Sequence, residues 1–588
     1  MRAQPDSRHA DVVLGLCAYT HDSAAALLVN GHLIGFAEEE RLDGVKHSKA
    51  YPANAVAWLL AEAGLTADQV TTVAYNFDGR RYLSALGQLP AHLAASVTRA
   101  RAVPRARSFL TVRRRYQARI RDLSRRFPHA RLRPIQHHRA HALYAFLAAG
   151  VDDAAVLIVD SLGELQTTTI WHAAQHDTRP FRLALHDAVD DPSSLGYAYG
   201  AVTEHLGWRR GDEEGTVMAL AALGNPERFH DLMSRAIRLT QSGFTLDPTL
   251  LPLRVLSSRY GRITPAFAAA TCPPRLPGAP VELVHADLAA ALQDRTEQVM
   301  LHLARRATRL TGSGLLCLGG GVAMNCVAAG LITRAGIVDE VHVPPAPGDS
   351  GTAIGAAAAA WLDTTGRPPT GMEQRCYLGP AYPKLTLHTE PRPGLAAERL
   401  DDPVHHLAQR LASGAIVGVF AGPLEAGPRA LGNRSILASP LSPGVVDRLN
   451  ATVKFREPFR PFAPVILADK AADYVQLRQP SPYMSIAAPV TDLTRTRLPA
   501  IVHANGTARV QTVTHAQHPL LADVLTAFGA ITGHPVLINT SLNVKGKPIC
   551  GTPDMALACL TATGLDALLM EGWWVTKGSV KLTADLGC

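Results

Sequence analysis

Residues 11–40 read DVVLGLCAYTHDSAAALLVNGHLIGFAEEE, and the order of apolar and polar residues in this stretch decides the fold. An apolar run comes first, the polar turn THDSA follows, and two further apolar runs come after the turn. Asn30-Gly31, between the last two runs, is a dipeptide that tight hairpin turns prefer. The stretch therefore predicts a buried strand, a polar turn and a hairpin of two strands.

Residues 154–175, AAVLIVDSLGELQTTTIWHAAQ, repeat this pattern of strand, polar glycine-containing turn and strand. Two copies in one chain predict an internally duplicated α/β domain of the actin-like, nucleotide-binding kind, in which each turn reaches towards a phosphate. Ordinary hairpins give similar patterns, so the pattern by itself leaves that simpler interpretation open.

The composition is that of a globular protein, with 47% hydrophobic and 18% charged residues over 588 positions. A chain of this length is expected to form two or more domains. No apolar run approaches the length of a membrane span, and the first residues lack the apolar core of a signal peptide, so we expect a cytoplasmic protein without a membrane partner. The eight cysteines form no CxxC pair, so any metal should bind histidines and carboxylates.

A stretch rich in proline and glycine, residues 363–384, interrupts the regular pattern. Such stretches typically join domains. We therefore expect an N-terminal domain over residues 1–365 and a C-terminal domain over residues 371–588.

A basic run lies between Arg99 and Arg133, with thirteen arginines and the single acid Asp122. Its apolar residues recur at steps of three and four, which predicts an amphipathic helix with one buried face. We interpret the charge as a solvated helix face. A surface for phosphates or acidic substrates is the alternative, and a nucleic-acid partner is not expected.

The C-terminal half carries cations on stiff loops. EAGPRALGNRSILASP (425–440) contains Arg429 and Arg434, and NATVKFREPFRPFAP (450–464) contains Lys454, Arg456 and Arg460. Arginine offers a two-pronged donor and lysine a mobile charge, and both suit phosphate. A later strand, PVLINTSLN, runs into Asn539, Ser541 and Asn543. Together these segments favour a polyanionic ligand.

Two further segments carry candidate ligand-binding groups. In RLRPIQHHRAHALYAF (131–146), His141 could share a ligand with His137 or with His138, because residues three or four apart lie on one helix face. GLLCLGGGVAMNCVAAG (314–330) predicts a strand, three glycines and a helix, an arrangement that lets an anion approach the backbone.

These motifs, in this order, resemble the O-carbamoyltransferases of the nodulation and antibiotic-biosynthesis family, whose best-understood type carbamoylates tobramycin. The resemblance covers nearly the whole chain and rests on this set of motifs: HDSAAALLVNGHLIGFAEEER, HHRAHA, LGGGVAMN, APGDSGTAIGAA, GPRALGNRSIL, VKFREPFRPFAP, NGTARVQTV and INTSLNVKGKPI. It implies an α/β protein with an actin-like, Kae-like metal-binding transferase domain followed by a YrdC-like activating domain.

The resemblance implies that the C-terminal domain makes carbamoyl-adenylate from carbamoyl phosphate and ATP, with Mg²⁺ accompanying the ATP. The N-terminal domain would pass the carbamoyl group to a hydroxyl of a small natural product such as an antibiotic-type sugar, aminocyclitol or macrocycle. Lys454 and Arg460 would act in catalysis. The groups that hold the anionic substrates would be Arg429, Arg434, Lys454, Arg460, Arg509, Asn539, Ser541 and Asn543.

For the N-terminal domain the resemblance implies a metal, Fe²⁺ rather than Zn²⁺ or Mn²⁺, on four ligands: His137, His141, Asp160 and Asp349. His138 is then a packing residue. His21 is the candidate base and Asp22 the residue that orients the acceptor, although His21 could instead only stabilise its own turn. The nucleotide would contact Gly320, Gly321, Asn325 and Glu164.

The sequence departs from the usual family pattern at Thr216, where lysine is common, and at Ala219, Ser161 and Asn505. These differences bear on the acceptor and on local nucleotide contacts. Two other functions stay open at this point: a tRNA threonylcarbamoyl-type transferase, and a non-catalytic actin-like nucleotide-binding regulator. The sequence does not decide the acceptor or whether the chain forms homo-oligomers.

Overall fold

A computed structural model describes residues 11–176, 179–257, 259–388 and 392–578. The chain divides into two compact units. Unit 1 is Met1–Glu39, His47–Cys376 and Ser485–Ala487, and unit 2 is Glu40–Lys46, Tyr377–Met484 and Ala488–Cys588. The main change of unit, after Cys376, lies within the stretch rich in proline and glycine. No sequence pattern indicated that the two short segments Glu40–Lys46 and Ser485–Ala487 belong to the other unit.

The first sheet of unit 1 has five strands in the order β3-β2-β1-β4-β5. They are β1 (Val12–Cys17), β2 (Ala24–Val29), β3 (His32–Glu38), β4 (Thr72–Tyr75) and β5 (Arg131–Pro134). β1 pairs antiparallel with β2, as β2 does with β3, whereas β4 is parallel to β1 and to β5. Asn30 and Gly31 both have positive φ, at 50° and 77°, which confirms the predicted hairpin turn.

The second sheet repeats this arrangement in the order β12-β11-β6-β7-β8, and β9 and β10 form a separate hairpin. The strands are β6 (Asp153–Gly163), β7 (Gln166–His176), β8 (Arg179–Asp190), β9 (Ile237–Thr240), β10 (Gly243–Leu246), β11 (Leu315–Gly319) and β12 (Glu340–His342). Its pairings have the same sequence of antiparallel and parallel contacts. The predicted internal duplication is confirmed.

Helices follow the strands of each repeat. They are α1 (Glu40–Asp43, in unit 2), α2 (Ala53–Glu62), α3 (Leu89–Ala94), α4 (Ser96–Arg126), α5 (His137–Ala149), α6 (Leu195–His205), α7 (Glu214–Leu220), α8 (His230–Ala236), α9 (Pro265–Ala270), α10 (Leu283–Thr311), α11 (Cys326–Arg334) and α12 (Thr352–Thr365). In α4, Phe109, Tyr116 and Leu123 are buried, which confirms the amphipathic helix predicted for the basic run as far as Arg126. The prediction was wrong for the end of the run, where Arg131 and Arg133 lie on β5.

Glycines let α12 pack closely on its neighbours. A Cβ atom on Gly15 of β1 would lie 2.0 Å from the carbonyl oxygen of Ala353, and one on Gly355 would lie 1.8 Å from that of Ala140 in α5. No side chain fits at these distances. Small residues are therefore needed where α12 meets β1 and α5.

Unit 2 is built on a nine-stranded mixed sheet in the order β13-β21-β20-β14-β15-β19-β16-β18-β17. Its strands are β13 (Leu395–Arg399), β14 (Val417–Phe420), β15 (Arg434–Ala438), β16 (Ala463–Leu467), β17 (Ile486–Pro489), β18 (Thr507–Val513), β19 (Val536–Ser541), β20 (Ala567–Met570) and β21 (Trp573–Lys577). The parallel pairs are β14 with β20 and β16 with β18.

Alternate residues of these strands face two separate apolar clusters. Val419 and Leu537 pack with α13 and α17, while Phe420 and Ile538 pack with α18. This alternation is the normal consequence of strand geometry. The helices of the unit are α13 (Pro403–Ala412), α14 (Val445–Arg448), α15 (Ala471–Tyr474), α16 (Asp492–Arg497), α17 (Pro519–Thr532) and α18 (Pro553–Ala562). Within the part of the chain described, no helix combines the length and apolar character needed to cross a membrane.

We expect Gly355→Ala to destabilise unit 1, because its new methyl group would overlap the Ala140 carbonyl. Overpacking of this kind costs about 1–3 kcal/mol, measurable as a lower urea midpoint. Gly87→Ala is the matched control, since a Cβ there meets no atom within 4 Å. Equal midpoints for the two variants would show that α12 and α5 can move apart at little cost.

Candidate active site

The four predicted metal ligands converge in unit 1. His137 and His141 lie on the first turns of α5, Asp160 lies on β6, and Asp349 opens the short 3₁₀ turn ahead of α12. One ligand atom from each residue lies within 4.8 Å of the others. The histidines and Asp160 are buried and Asp349 is mostly buried. The four side chains meet although they span positions 137 to 349 of the sequence.

The distances are those of a preformed cluster. Nε2 of His137 lies 3.4 Å from Oδ2 of Asp160 and 3.5 Å from Oδ1 of Asp349. Nε2 of His141 lies 3.2 Å from Nε2 of His137 and 3.8 Å from Oδ1 of Asp349. All four side chains thus direct a donor atom to one small volume.

Backbone groups hold the ligands in place. Nδ1 of His137 donates to the carbonyl oxygen of Asn76 at 3.3 Å, which leaves the lone pair of Nε2 facing the cluster. Oδ1 of Asp160 accepts from the amide of Gly321 at 3.1 Å. The Asn76 amide in turn donates to Oγ1 of Thr352 at 2.6 Å, at the start of α12.

The charges of the cluster suit a divalent cation. Burial would lower the pKa of His137, but the carboxylates of Asp349 and Asp160 raise it well above its ordinary value. Two carboxylates side by side repel each other unless a positive charge lies between them. Two imidazole nitrogens and two carboxylate oxygens are donors that iron, zinc and manganese all accept, so these residues fit such a metal without selecting one.

His138 points away from this cluster. It is fully buried, its Nδ1 lies 3.0 Å from Oγ1 of Thr169, and burial lowers its pKa to about 3. The indole of Trp171 donates to the same hydroxyl at 2.8 Å. His138 is therefore a neutral packing residue, and the sequence ambiguity between the two histidine pairs is settled in favour of His137 with His141.

Glu164, predicted to contact a nucleotide, supports the start of α5 in this structure. Its carboxylate accepts from the backbone amides of Asp78 at 2.8 Å and of His137 at 3.2 Å. Burial raises the pKa of this carboxyl to about 7. An acid at the N-terminus of a helix is favourable, and here it fixes the residue that supplies the first imidazole.

His21 lies at the edge of the cluster, with its side chain about half exposed. Its Nε2 lies 3.6 Å from Oδ2 of Asp349, and its Nδ1 lies 2.9 Å from Oδ2 of Asp22. The charge of Asp349 raises the pKa of His21 to about 9. Asp22, predicted to orient an acceptor, uses its other oxygen to accept from Nδ1 of His47 at 2.6 Å.

The glycine segment reaches the same place from β11. Gly320 has φ of 84°, and a Cβ there would lie 2.3 Å from the carbonyl oxygen of Val159, so only glycine fits. Gly321 contributes the amide that contacts Asp160. The Asn325 side chain caps α11 by accepting from Ala328 at 3.1 Å and also exchanges hydrogen bonds with Gln293.

Unit 2 contains the second predicted site, centred on Lys454. The ammonium donates to Oγ of Ser541 at 3.2 Å, to Oδ1 of Asn543 at 2.8 Å and to the carbonyl oxygen of Ser541. Lys454 is the last residue of a π-helix over Leu449–Lys454, and the next residue, Phe455, has φ of 48°. Burial, then the charge of Arg456, lowers the pKa of Lys454 to about 7.

More cations surround Lys454. Burial and the charges of Arg460 and Arg509 lower the pKa of Arg456 to about 9. Arg456 donates to Oδ1 of Asn450 at 3.0 Å and lies over the ring of Phe462. Glu457 lies 4.0 Å from Arg460. Such a concentration of positive charge suits a polyanion.

Comparison with known proteins identifies the family. The model described as "Carbamoyltransferase N-terminus" matches residues 12–358, and the one described as "Carbamoyltransferase C-terminus" matches residues 408–577. The chain belongs to the carbamoyltransferase family. It is 34% identical to "Uncharacterized protein sll1178" of Synechocystis, over 96% of each chain. It is 32% identical to "Nodulation protein NolNO" of Sinorhizobium fredii, over 95% of this chain and 79% of that protein.

Among solved structures, component A of the (R)-2-hydroxyglutaryl-CoA dehydratase of Acidaminococcus fermentans is 13% identical. The match covers 59% of this chain and 96% of that one, with a TM-score of 0.28. The repeated strand order of this carbamoyltransferase is seen directly in its own two sheets.

Two residues predicted to hold substrate also make hydrogen bonds within the protein. Arg434 is fully buried and donates to the carbonyl oxygens of Ala421 at 3.0 Å, Gly422 at 3.0 Å and Asn433 at 2.9 Å. Asn539 is buried and donates to Oε1 of Gln511 at 2.7 Å. The structure places both as supports of the loops that carry the site. Arg429 and Arg509 are half-buried side chains of the same unit.

The arginine-rich helix α4 supports the turn that carries His21. Arg119 donates to the carbonyl oxygen of Tyr19 at 2.8 Å, and Asp122 accepts from the Tyr19 hydroxyl at 2.5 Å. Nearer its start, Arg105 pairs with the buried Asp191. Its buried side therefore has a structural use that sequence reasoning did not foresee.

Three residues at the site were missed: Asn76, His47 and Asp212. Each follows or lies within a polar loop, and the contacts that bring it to the site join residues far apart in the sequence. His47 stands in GVKHSKAYP and Asp212 in RRGDEEG, where one histidine and one acid among several give no distinguishing signal.

We expect His137→Ala and His141→Ala each to lose most of the bound metal, because each removes one of two imidazoles from the cluster. His138→Ala is the matched control and should retain metal, since its ring contacts Thr169 instead. Elemental analysis of the three purified variants, with circular dichroism to confirm folding, gives the comparison. Equal loss of metal from all three would contradict the ligand assignment.

Proposed function

We propose that this carbamoyltransferase works in two half-reactions. Unit 2 forms carbamoyl-adenylate from carbamoyl phosphate and ATP, and unit 1 transfers the carbamoyl group to a hydroxyl of a small natural product. The observation that supports the proposal is that one chain contains two sites of opposite charge. A cluster of cations in unit 2 suits two anionic substrates, and a cluster of carboxylates and imidazoles in unit 1 suits a metal.

In the first half-reaction, carbamoyl phosphate and ATP meet despite their like charges. Lys454, Arg456 and Arg460 offset that repulsion. A carbamoyl oxygen bonds to the α-phosphorus of ATP as pyrophosphate leaves, and the phosphate of carbamoyl phosphate leaves as inorganic phosphate with the addition of water. Ser541 and Asn543 hold the Lys454 ammonium in place, and Mg²⁺ accompanies the ATP.

In the second half-reaction, the acceptor oxygen bonds to the carbamoyl carbon and AMP leaves. His21 removes the hydroxyl proton through Nε2, while Asp22 fixes its Nδ1. A bound metal, for which we favour Fe²⁺ over Zn²⁺ or Mn²⁺, would supply a Lewis acid on His137, His141, Asp160 and Asp349. A cation on Asp349 would also offset the charge that raises the pKa of His21, which leaves the ring free to accept a proton.

The remaining parts of the proposal follow from the same resemblance. The repeated strand order supports an actin-like, nucleotide-binding fold for unit 1, in which the backbone around Gly320 and Gly321 contacts the nucleotide. Unit 2 would be YrdC-like. We propose a cytoplasmic antibiotic-tailoring enzyme whose partner is the acceptor molecule rather than a membrane or a nucleic acid.

Pyrophosphate release tests the first half-reaction. With ATP and Mg²⁺, release should depend on carbamoyl phosphate, and Lys454→Ala should abolish it because the buried ammonium is lost. Lys384→Ala, an exposed lysine of the same unit, is the matched control and should be fully active. If wild-type protein releases no pyrophosphate when carbamoyl phosphate is added, the proposed function is wrong. Mass spectrometry of an acceptor panel, seeking added carbamoyl groups, then identifies the product.

The pH dependence should report the charge of Lys454. Its pKa is lowered to about 7, so the ammonium is present below this pH and is lost as the pH rises through it. We therefore expect KM for carbamoyl phosphate to increase above about pH 7. Lys454→Arg keeps its charge at every accessible pH, so its KM for carbamoyl phosphate should not increase over this range. The same increase in KM in wild type and Lys454→Arg would show that another group is titrating.

A further inference from the structure

A chain of paired acids and histidines runs through unit 1 to His21. Nε2 of His47 lies 3.0 Å from Oδ1 of Asp212, and its Nδ1 lies 2.6 Å from Oδ1 of Asp22. Oδ2 of Asp22 lies 2.9 Å from Nδ1 of His21. His21 then faces Asp349 at 3.6 Å. His47 has no assigned role in either of the two proposed half-reactions.

The geometry fixes the state of His47. A carboxylate oxygen accepts a hydrogen bond, so a ring with a carboxylate at each nitrogen must donate from both and carry a positive charge. Burial would lower the pKa of His47, but the hydrogen bonds to Asp212 and Asp22 raise it to about 10. Asp212 is itself buried, with 6% of its side chain exposed, so the cation also compensates a carboxylate that water reaches poorly.

Asp22 links this cation to His21. One of its oxygens contacts His47 and the other contacts His21, so the carboxylate joins the two rings. Its backbone has φ of 61°, in the left-handed region that residues other than glycine seldom adopt. Strained positions of this kind persist where surrounding contacts hold them. The contact with His47 is one that holds this side chain.

We propose that His47 is a positioning residue for the transfer half-reaction. By bridging Asp212 and Asp22 it fixes the Asp22 carboxylate, which in turn holds His21 with Nε2 directed towards Asp349 and the incoming hydroxyl. This role rests on the proposed function of His21 as the base. It predicts that loss of His47 affects nucleophiles that must be deprotonated and spares those that need no base.

The test supplies carbamoyl-adenylate to the full-length protein and measures AMP release, with spontaneous release subtracted. Water is the hydroxyl probe, and hydroxylamine is the probe whose lone pair attacks without a base. The variants are His47→Gln, His47→Arg and Asp212→Asn. The matched control is His172→Gln, which breaks a histidine–aspartate contact of 2.7 Å with Asp153 elsewhere in the unit.

For His47→Gln we expect AMP release with water to fall roughly ten- to hundred-fold, the usual effect of removing a group that orients a functional side chain. Release with hydroxylamine, metal content and melting temperature should match the wild type. His47→Arg, which keeps a cation between the carboxylates, should recover part of the rate, Asp212→Asn should lose part of it, and His172→Gln should lose none.

Wild-type rates with water in His47→Gln would overturn the proposal. So would an equal fall with both nucleophiles, because that pattern marks a general structural defect. Carbamoyl phosphate-dependent pyrophosphate release is measured on the same variants. Its absence from the wild type would contradict the proposed first half-reaction, while the ratio of the two nucleophile rates still decides the role of His47.

Discussion

The main constraint on the site in unit 1 is the repulsion between Asp160 and Asp349. These two carboxylates are held close together where water has little access. Each ionised carboxylate in such a place needs compensation by hydrogen-bond donors or by positive charge. The surroundings supply part of it, through the Gly321 amide, His137 and His141 on one side and His21 on the other. A divalent cation on the same donors would complete it, which is why the cluster reads as a metal site.

The internal duplication explains how these residues meet. His21 lies in the turn after β1, and Asp160 lies in the equivalent strand and turn of the second repeat. His137 opens α5 after the last strand of the first sheet, and Asp349 precedes α12 after the last strand of the second. The two repeats thus contribute corresponding positions, and the close contact of Gly355 with Ala140 brings the two equivalent helices together. One fold element, used twice, supplies all sides of the site.

Sequence reasoning found what local pattern encodes and missed what only long-range packing decides. The Asn30-Gly31 turn, the repeated strand pattern and the buried face of α4 are local, and the structure confirms them. The choice of His137 over His138 needed the family resemblance, because both pairs share a helix face. Arginines on glycine-rich loops look alike whether they bind a ligand or backbone carbonyls, and burial alone separates Arg434 from Arg460. His47 and Asp212 had no local signal at all.

The two candidate sites are electrostatic opposites. In unit 1, the carboxylates of Asp160 and Asp349 lie together with the imidazoles of His137 and His141. In unit 2, Lys454, Arg456, Arg460 and Arg509 crowd together, and the lowered pKa values of Lys454 and Arg456 record the cost of that crowding. A folded protein tolerates such unfavourable clusters where ligand binding offsets them. These charges support the proposal that unit 1 binds a cation and unit 2 binds anions.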